Sequence, residues 1–198
     1  MKAYSPAAER NQKPIFEVLN PFLPPNAQVL ELASGTGQHA NFFCENRPDL
    51  IWQPSDPDPA SIASITSYYT DARPAGLQKP IAWSVFDPLP IDLNRSFDVV
   101  VNINMIHISP WEACLALLDH CQTWLASGGI LYLYGPFILS DRPTAPSNLA
   151  FDQSLKERDP RWGLRDLERV KAEAEARGLR WLKTIEMPAN NVSVLFEK

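Results

Sequence analysis

Apolar residues recur along this chain in two alternating rhythms. Short runs of apolar, often β-branched residues predict strands at Ala27–Leu32, Ile51–Pro54 (ending at Asp56), Ile81–Phe86 (ending at Asp87), Phe97–Ile103 and Ile130–Tyr134. Phe97–Ile103 is almost continuously apolar, as a central parallel strand covered on both faces should be. Between the strands, apolar positions three and four apart predict helices. One covers His39–Asn46 and turns Phe42 and Phe43 to the core. A second covers Pro59–Asp71, with Asp58 as N-cap and Pro59 in its first turn. A third follows Ser109 as N-cap, where Glu112 completes a capping-box pattern; Trp111, Leu118, Cys121 and Leu125 make its stripe, and Gly128-Gly129 stops it. At the start of the chain, Tyr4–Leu23 has helical composition, and Pro14 is expected to open a second short helix. Ser140–Gly163 reads as a polar insertion with a helix around Leu149–Arg158, followed by an amphipathic helix over Leu164–Arg177 closed by Gly178. Arg180–Glu186 and Val192–Phe196, joined by the short link Met187–Asn191, are expected to pair as an antiparallel hairpin.

This order predicts an α/β fold. We expect a single Rossmann-like domain over residues 1–198, its sheet mostly parallel with an antiparallel C-terminal hairpin. Residues 1–23 form a helical arm, and residues 140–163 an insertion near the cleft.

Composition narrows the possible partners. The 198 residues are 45% hydrophobic and 21% charged, as in a soluble globular chain, and the net charge of −5 argues against a nucleic-acid-binding face. Neither an N-terminal apolar stretch nor an 18-residue apolar run is present, so no signal peptide and no membrane span are expected, and a cytoplasmic location is. The three cysteines, Cys44, Cys114 and Cys121, form no CxxC, and His39, His107 and His120 are not spaced as zinc ligands. Reduced thiols and no metal site follow.

The chemistry concentrates in Val29-Leu30-Glu31-Leu32-Ala33-Ser34-Gly35-Thr36-Gly37-Gln38-His39, a buried strand that runs into a small-residue turn and a helix start. Gly35 and Gly37 let the backbone bend and approach a ligand closely. Ligands of such sheets bind beyond the carboxyl ends of the strands, where Glu31, Asp56 and Asp87 all fall. Two cofactors fit the turn. Gly35-Thr36-Gly37-Gln38-His39-Ala40 matches the G-x-G-x-x-A of NAD enzymes, with Asp56 at the distance of a ribose contact. The preceding Glu31, the terminal hairpin and the lack of a second catalytic domain favour S-adenosylmethionine. On that reading Ala33, Ser34, Gly35 and Gly37 form the turn and Glu31 meets the cofactor. Asp56 binds its ribose, while Asp87 and Phe86 flank adenine and Asn102 adds a contact from the fourth strand.

Several uncommon strings then bear a family resemblance. They are Ser5-Pro6-Ala7-Ala8-Glu9-Arg10-Asn11, Leu32 to His39, Gln53-Pro54-Ser55-Asp56-Pro57-Asp58, Ile103-Asn104-Met105-Ile106-His107-Ile108, Leu133-Tyr134-Gly135-Pro136, Thr144-Ala145-Pro146-Ser147-Asn148 and Met187-Pro188-Ala189-Asn190-Asn191. The chain resembles class I S-adenosylmethionine-dependent methyltransferases, and within them the methyltransferase-like protein 26 group and its bacterial relatives. The resemblance implies the methyltransferase fold and leaves the acceptor open. Ala33 stands where such enzymes often have a first glycine.

For the acceptor side, His107 is expected to act as general base beyond the fourth strand, with Asn104 orienting the methionine moiety or the acceptor. Tyr134, Tyr4 and Asn190 are expected to line the acceptor site, and Arg10 and Asn11 of the arm to close on the cofactor carboxylate. The predicted activity is methyl transfer to a small molecule or a protein side chain. The rival readings are a non-catalytic S-adenosylmethionine-binding or interaction module and an NAD(P) oxidoreductase. Oligomeric state is not readable from the chain.

Overall fold

A computed structural model describes residues 1–72, 74–88, 90 and 95–198 of the chain. A seven-stranded sheet runs through it in the order β3-β2-β1-β4-β5-β9-β8. Its members are β1 (Gln28–Leu32), β2 (Ile51–Asp56), β3 (Ile81–Ala82), β4 (Phe97–Ile103), β5 (Leu125–Gly135), β8 (Arg180–Met187) and β9 (Asn191–Glu197). The strands β1 to β5 pair in parallel; β9 alone runs against its neighbours β5 and β8. A reversed β9 inserted beside β5 separates this sheet from the all-parallel order of dinucleotide-binding domains. Two short strands, β6 (Phe137–Ile138) and β7 (Arg165–Asp166), form a separate parallel pair.

Period-two alternation decides which helix each strand residue meets. Val29 of β1 and Val99 and Val101 of β4 pack with Ile15 and Leu19 of α1 (Pro6–Leu19) and Phe43 of α2 (Gln38–Asn46). Leu30, Leu32 and Val100 face the other way. They meet Leu117 and Cys121 of α4 (Trp111–Trp124) and Val170 of α6 (Leu167–Glu175). Two helices complete the order, α3 (Pro59–Ser67) and α5 (Pro146–Arg158).

Several expectations need correction. Pro14 opens no second helix: α1 runs through it, started by Pro6 and capped by the Ser5 hydroxyl on Ala8 N–H at 3.3 Å. Packing of Ile15 and Leu19, both fully buried, outweighs the one helical hydrogen bond a proline removes. The third strand keeps only Ile81–Ala82, because Ser84–Asp87 closes into a turn with Asp87 N–H on Ser84 O. Ser109 does not cap α4; its hydroxyl donates back to Met105 O at 2.7 Å, and Glu112 makes no capping box. Gly128-Gly129 does not end that helix, which stops at Trp124, and both glycines lie inside β5. Phe42 is only half-buried, while Phe43 is fully buried. In the insertion, α5 starts earlier than expected, at Pro146. The last helix is shorter than expected, because Asp166 caps it on Arg169 N–H and Arg165–Asp166 is drawn into β7.

Candidate functional site

Beyond the carboxyl end of β1 the chain makes three hard bends in five residues. Ala33 (φ 53°), Gly35 (φ 55°) and Gly37 (φ 84°) all adopt the left-handed backbone before α2 begins. For alanine this conformation costs about 1–2 kcal/mol, a local strain of the kind that gathers at ligand sites. Gly37 has a second reason to be glycine: a Cβ there would stand 3.0 Å from Ile65 Cγ1 of α3. Asp56, at the end of β2, organises the turn. One carboxylate oxygen accepts the Gly35 N–H at 2.9 Å and the other accepts the Asp58 N–H at 2.9 Å. Ser34 is nearly buried; its N–H donates to Ser55 O, and its hydroxyl donates to Glu31 O at 3.3 Å.

A cavity of about 320 Å³ opens beside this turn, within the size range of small-molecule sites. Its floor is Leu32, Ala33 and Asp56, and one wall is Trp83, Val85 and Phe86. The opposite wall is Ile103, Asn104 and Met105 of the segment that follows β4. Phe86 is 58% exposed, a large apolar face offered to the cavity mouth. Asp87 lies outside the lining; it is exposed, and its carboxylate turns back to accept Ser84 N–H at 3.3 Å. Asn102 is buried beside the turn. Its amide donates to Leu32 O at 3.3 Å, and among the described residues its Oδ1 has no partner.

Glu31 is not at the sheet edge. It shares the side of Val29, one residue short of the strand end, and its carboxylate accepts Trp52 Nε1–H at 3.0 Å inside the core. Burial raises its pKa from 4.5 to about 7, partly opposed by hydrogen bonds from Trp52 and Ser34.

The arm does not trail in solvent. It is tied to the glycine turn and the helices beside it through Ala3 N–H to Ser64 Oγ (2.8 Å) and Ser5 N–H to Gln38 Oε1 (2.6 Å). Ser64 in turn donates to Thr36 O at 2.7 Å. Asn11 joins α1 to α2: its Oδ1 lies 2.8 Å from His39 Nε2, while Tyr134 in β5 is buried among the core residues on the same side of the sheet as Val29 and Val101. Arg10 and Tyr4 are exposed, and Tyr4 sits with Gln38 and Tyr68 away from the cavity.

The expectation for His107 is overturned. Its ring is fully buried, edge-on to Phe137 with centroids 4.7 Å apart, and it lines neither the cavity beside the turn nor the one at the C-terminal hairpin. Burial, with the Arg165 guanidinium nearby, lowers its pKa to about 3, and both ring nitrogens lack partners among the described residues. The ring is boxed in by the neighbouring strand. A Cβ at Gly135 would stand 2.6 Å from His107 Cδ2 and Nε2 and 3.0 Å from Asn104 Oδ1. Gly135→Ala is therefore expected to destabilise the fold by about 1–3 kcal/mol through overpacking, and His107→Ala in the same chain to restore part of the loss. Urea midpoints of the three variants check this; additive losses in the double variant would contradict the contact.

Asn104 does reach the cavity. It takes a left-handed backbone (φ 65°), which asparagine tolerates, and its N–H donates to Tyr134 O. A second cavity, of about 120 Å³, lies at the C-terminal hairpin between Phe137, Asn148, Met187 and Asn190. Asn148 donates to Asn190 O at 2.9 Å, and Ala189 and Asn190 are both left-handed. Two of the uncommon sequence strings, Thr144–Asn148 and Met187–Asn191, thus meet around one space. Among the described residues no group of three or more His, Cys, Asp and Glu side chains could hold a metal ion, and no helix is long and apolar enough to cross a membrane.

Residues 2–198 match the family model described as protein of unknown function DUF938. The chain belongs to the DUF938 family. Its fold is that of class I methyltransferases. An O-methyltransferase family protein from Burkholderia thailandensis superposes with a TM-score of 0.80 at 16% identity, over 97% of this chain and 57% of that one. Human N-acetylserotonin methyltransferase, solved in complex with S-adenosylmethionine, gives 0.77 at 16% identity, over 97% and 52%. An O-methyltransferase family 2 protein from Planctomyces limnophilus, solved in complex with apigenin, gives 0.73 at 18%, over 94% and 61%. The DUF938 chain spans between half and about three fifths of the length of these proteins.

Sequence reasoning missed several residues around this turn and cavity. Trp83, Val85, Met105 and Ile108 line the larger cavity, and Gln38, His39 and Ser64 bind the arm. Gln38-His39 stood in plain view inside the glycine-turn string. The wall residues carried no signal, since apolar side chains at a cavity look like core.

Proposed function

We propose that this protein is a methyltransferase that takes its methyl group from S-adenosylmethionine. The observation that carries the reading is the left-handed turn Ala33–Gly37, braced by Asp56 and opening on a cavity of about 320 Å³ walled by Phe86 and Asn104. The chemistry of the lining suits the cofactor. Asp56 is an acceptor for ribose hydroxyls, and Trp83, Val85 and Phe86 offer an apolar slot for adenine. Asn102 brings a buried, unpartnered oxygen beside the turn, where an ammonium group would satisfy it. When bound, S-adenosylmethionine supplies an electrophilic methyl on a sulfonium. The protein's part is alignment, which contributes about 7–11 kcal/mol in favourable cases.

Ala33, Ser34, Gly35, Gly37, Asp56, Phe86 and Asn102 are the cofactor residues of this reading, with Asn11 and Arg10 of the arm toward the methionine end. Asn104, Tyr134 and Asn190 belong to the acceptor side. On this reading the cavity at the hairpin, lined by Asn148, Met187 and Asn190, is the space for a small acceptor. The O-methyltransferases with the same fold, one of them holding apigenin, support a small-molecule acceptor.

Calorimetry with S-adenosylhomocysteine and with NAD, side by side, tests the reading. Binding of the first and none of the second is expected. Binding of NAD alone would replace this reading with the oxidoreductase one. Tight S-adenosylhomocysteine binding with no labelled methyl released to any small molecule or protein would favour a cofactor-binding module.

A further inference from the structure

The tip of the C-terminal hairpin is held in a shape that its residues resist. Ala189 (φ 59°) and Asn190 (φ 57°) are left-handed in succession, and alanine adopts that backbone only where its surroundings impose it. The first turn of α5 imposes it here. Asn148 donates its side-chain amide to Asn190 O at 2.9 Å, and the Asn190 amide meets Ser147 Oγ at 3.1 Å. The cavity they enclose, of about 120 Å³, is close to the volume that holds a single benzene ring.

The asparagines of the lining point their hydrogen bonds in a fixed sense. A backbone carbonyl can only accept, so a side-chain amide that faces one must present its amino end. Asn148 faces Asn190 O, and Asn191 faces Pro188 O at 3.1 Å. Each spends its donor inside the protein and has its Oδ1 left over. Asn148 is the more telling of the two. It is only 7% exposed and borders the cavity, and its Oδ1 accepts no hydrogen bond among the described residues, yet is not sealed off. Such an oxygen calls for a donor from a ligand.

The charges have the same sense. Arg142 is the one cation of the lining, and two carboxylates take it up: Asp141 on Nε and Nη2, both at 3.1 Å, and Glu186 on Nη1 at 2.5 Å. One positive charge thus stands against two negative ones, and Glu186 keeps a second oxygen at the rim, where its side chain is 73% exposed. An anion would meet amide and carboxylate oxygens. A group rich in N–H meets the partners it needs. Phe137, Leu139 and Met187 offer an apolar wall to the rest of the ligand.

We infer that the hairpin cavity takes a small organic cation, an ammonium or amidinium group on an apolar body, whose N–H donors are received by Asn148 Oδ1 and Glu186. The inference rests on the methyltransferase reading above only in making this compound the methyl acceptor. A protonated nitrogen held in this way has no electron pair to give. The cation is therefore the handle, the methyl goes to another atom of the compound, and Asn148 determines specificity.

Benzamidine and benzoate test this, because they share a ring and a planar head group and differ in the sign of the charge. The full chain is titrated with each by calorimetry, with and without S-adenosylhomocysteine. Benzamidine is expected to bind about tenfold or more tightly than benzoate. Asn148→Leu, similar in size, should weaken benzamidine about tenfold. That change also strips Asn190 O of its donor, so a second variant leaves the asparagines intact. Glu186→Gln should weaken benzamidine about two- to fivefold and, by loosening Arg142, let benzoate gain. S-adenosylhomocysteine affinity should not move in either variant. Benzoate bound as tightly as benzamidine, unchanged benzamidine affinity in either variant, or no benzamidine binding by a protein that does bind S-adenosylhomocysteine would each overturn the inference. Benzamidine binding that responds to both variants in a protein that fails to bind S-adenosylhomocysteine would uphold the cation site and overturn the methyltransferase reading.

Discussion

Asp56→Ala is expected to weaken S-adenosylhomocysteine binding by about 10- to 100-fold while leaving the sheet folded. Two losses add. The carboxylate that would accept ribose hydroxyls disappears, and each such charge-assisted bond is worth about 1.5–3 kcal/mol. The Gly35 and Asp58 N–H groups, each held at 2.9 Å, also lose their acceptor, so the turn is no longer braced. Asp56→Asn should fall between wild type and alanine, since it keeps one oxygen but no charge. Calorimetry measures the affinity and circular dichroism the fold. An alanine variant that binds as tightly as wild type would remove Asp56 from the site.

The second large effect is on stability and depends on pH. Glu31 has a pKa of about 7 in the folded protein against 4.5 as its ordinary value, chiefly because it is buried. Between those values the folded chain holds a proton that the unfolded chain has released. Stability therefore falls as pH rises through this window, and above about pH 7 the burial of the charge costs about 3 kcal/mol. Glu31→Gln keeps an oxygen for the Trp52 Nε1–H, which Glu31 now accepts at 3.0 Å, and has no charge to bury. The variant should match wild type near pH 4 and exceed it by about 3 kcal/mol at pH 8, read from urea midpoints at unchanged slope. A variant less stable than wild type at pH 8 would mean that the carboxylate is compensated by a partner other than Trp52.

Much of the fold was legible because it rests on local chemistry. The alternation of apolar runs and helical stripes sufficed for the α/β class. Phe97–Ile103 forms β4 at the predicted bounds, since a continuous β-branched run has few alternatives. The predicted hairpin forms as β8 and β9, because a link of a few residues between two strands allows little else. The left-handed turn was legible for the same reason: two glycines two residues apart after a strand permit bends that other residues resist.

Errors arose where a distant contact outweighed a local preference. Pro14 breaks no helix because Ile15 and Leu19 are anchored in the core. Ser109 has an N-cap's composition, but its hydroxyl finds Met105 O one turn back. Glu31 looked like an edge acid, and strand alternation turned it inward to Trp52. His107 looked like a base on the loop after β4, yet it is packed against Gly135 and Phe137 from a neighbouring strand and its extension. The amino-acid sequence by itself determined the element order, the parallel core and the turn that could hold a cofactor, since each follows from residues within one or two helical turns. Only the tertiary structure decided which polar side chains face the cavity and which are sealed, and that Asn11 of the arm meets His39. Those residues are far apart along the chain, and no local rule links an arm to a helix start until packing brings them together.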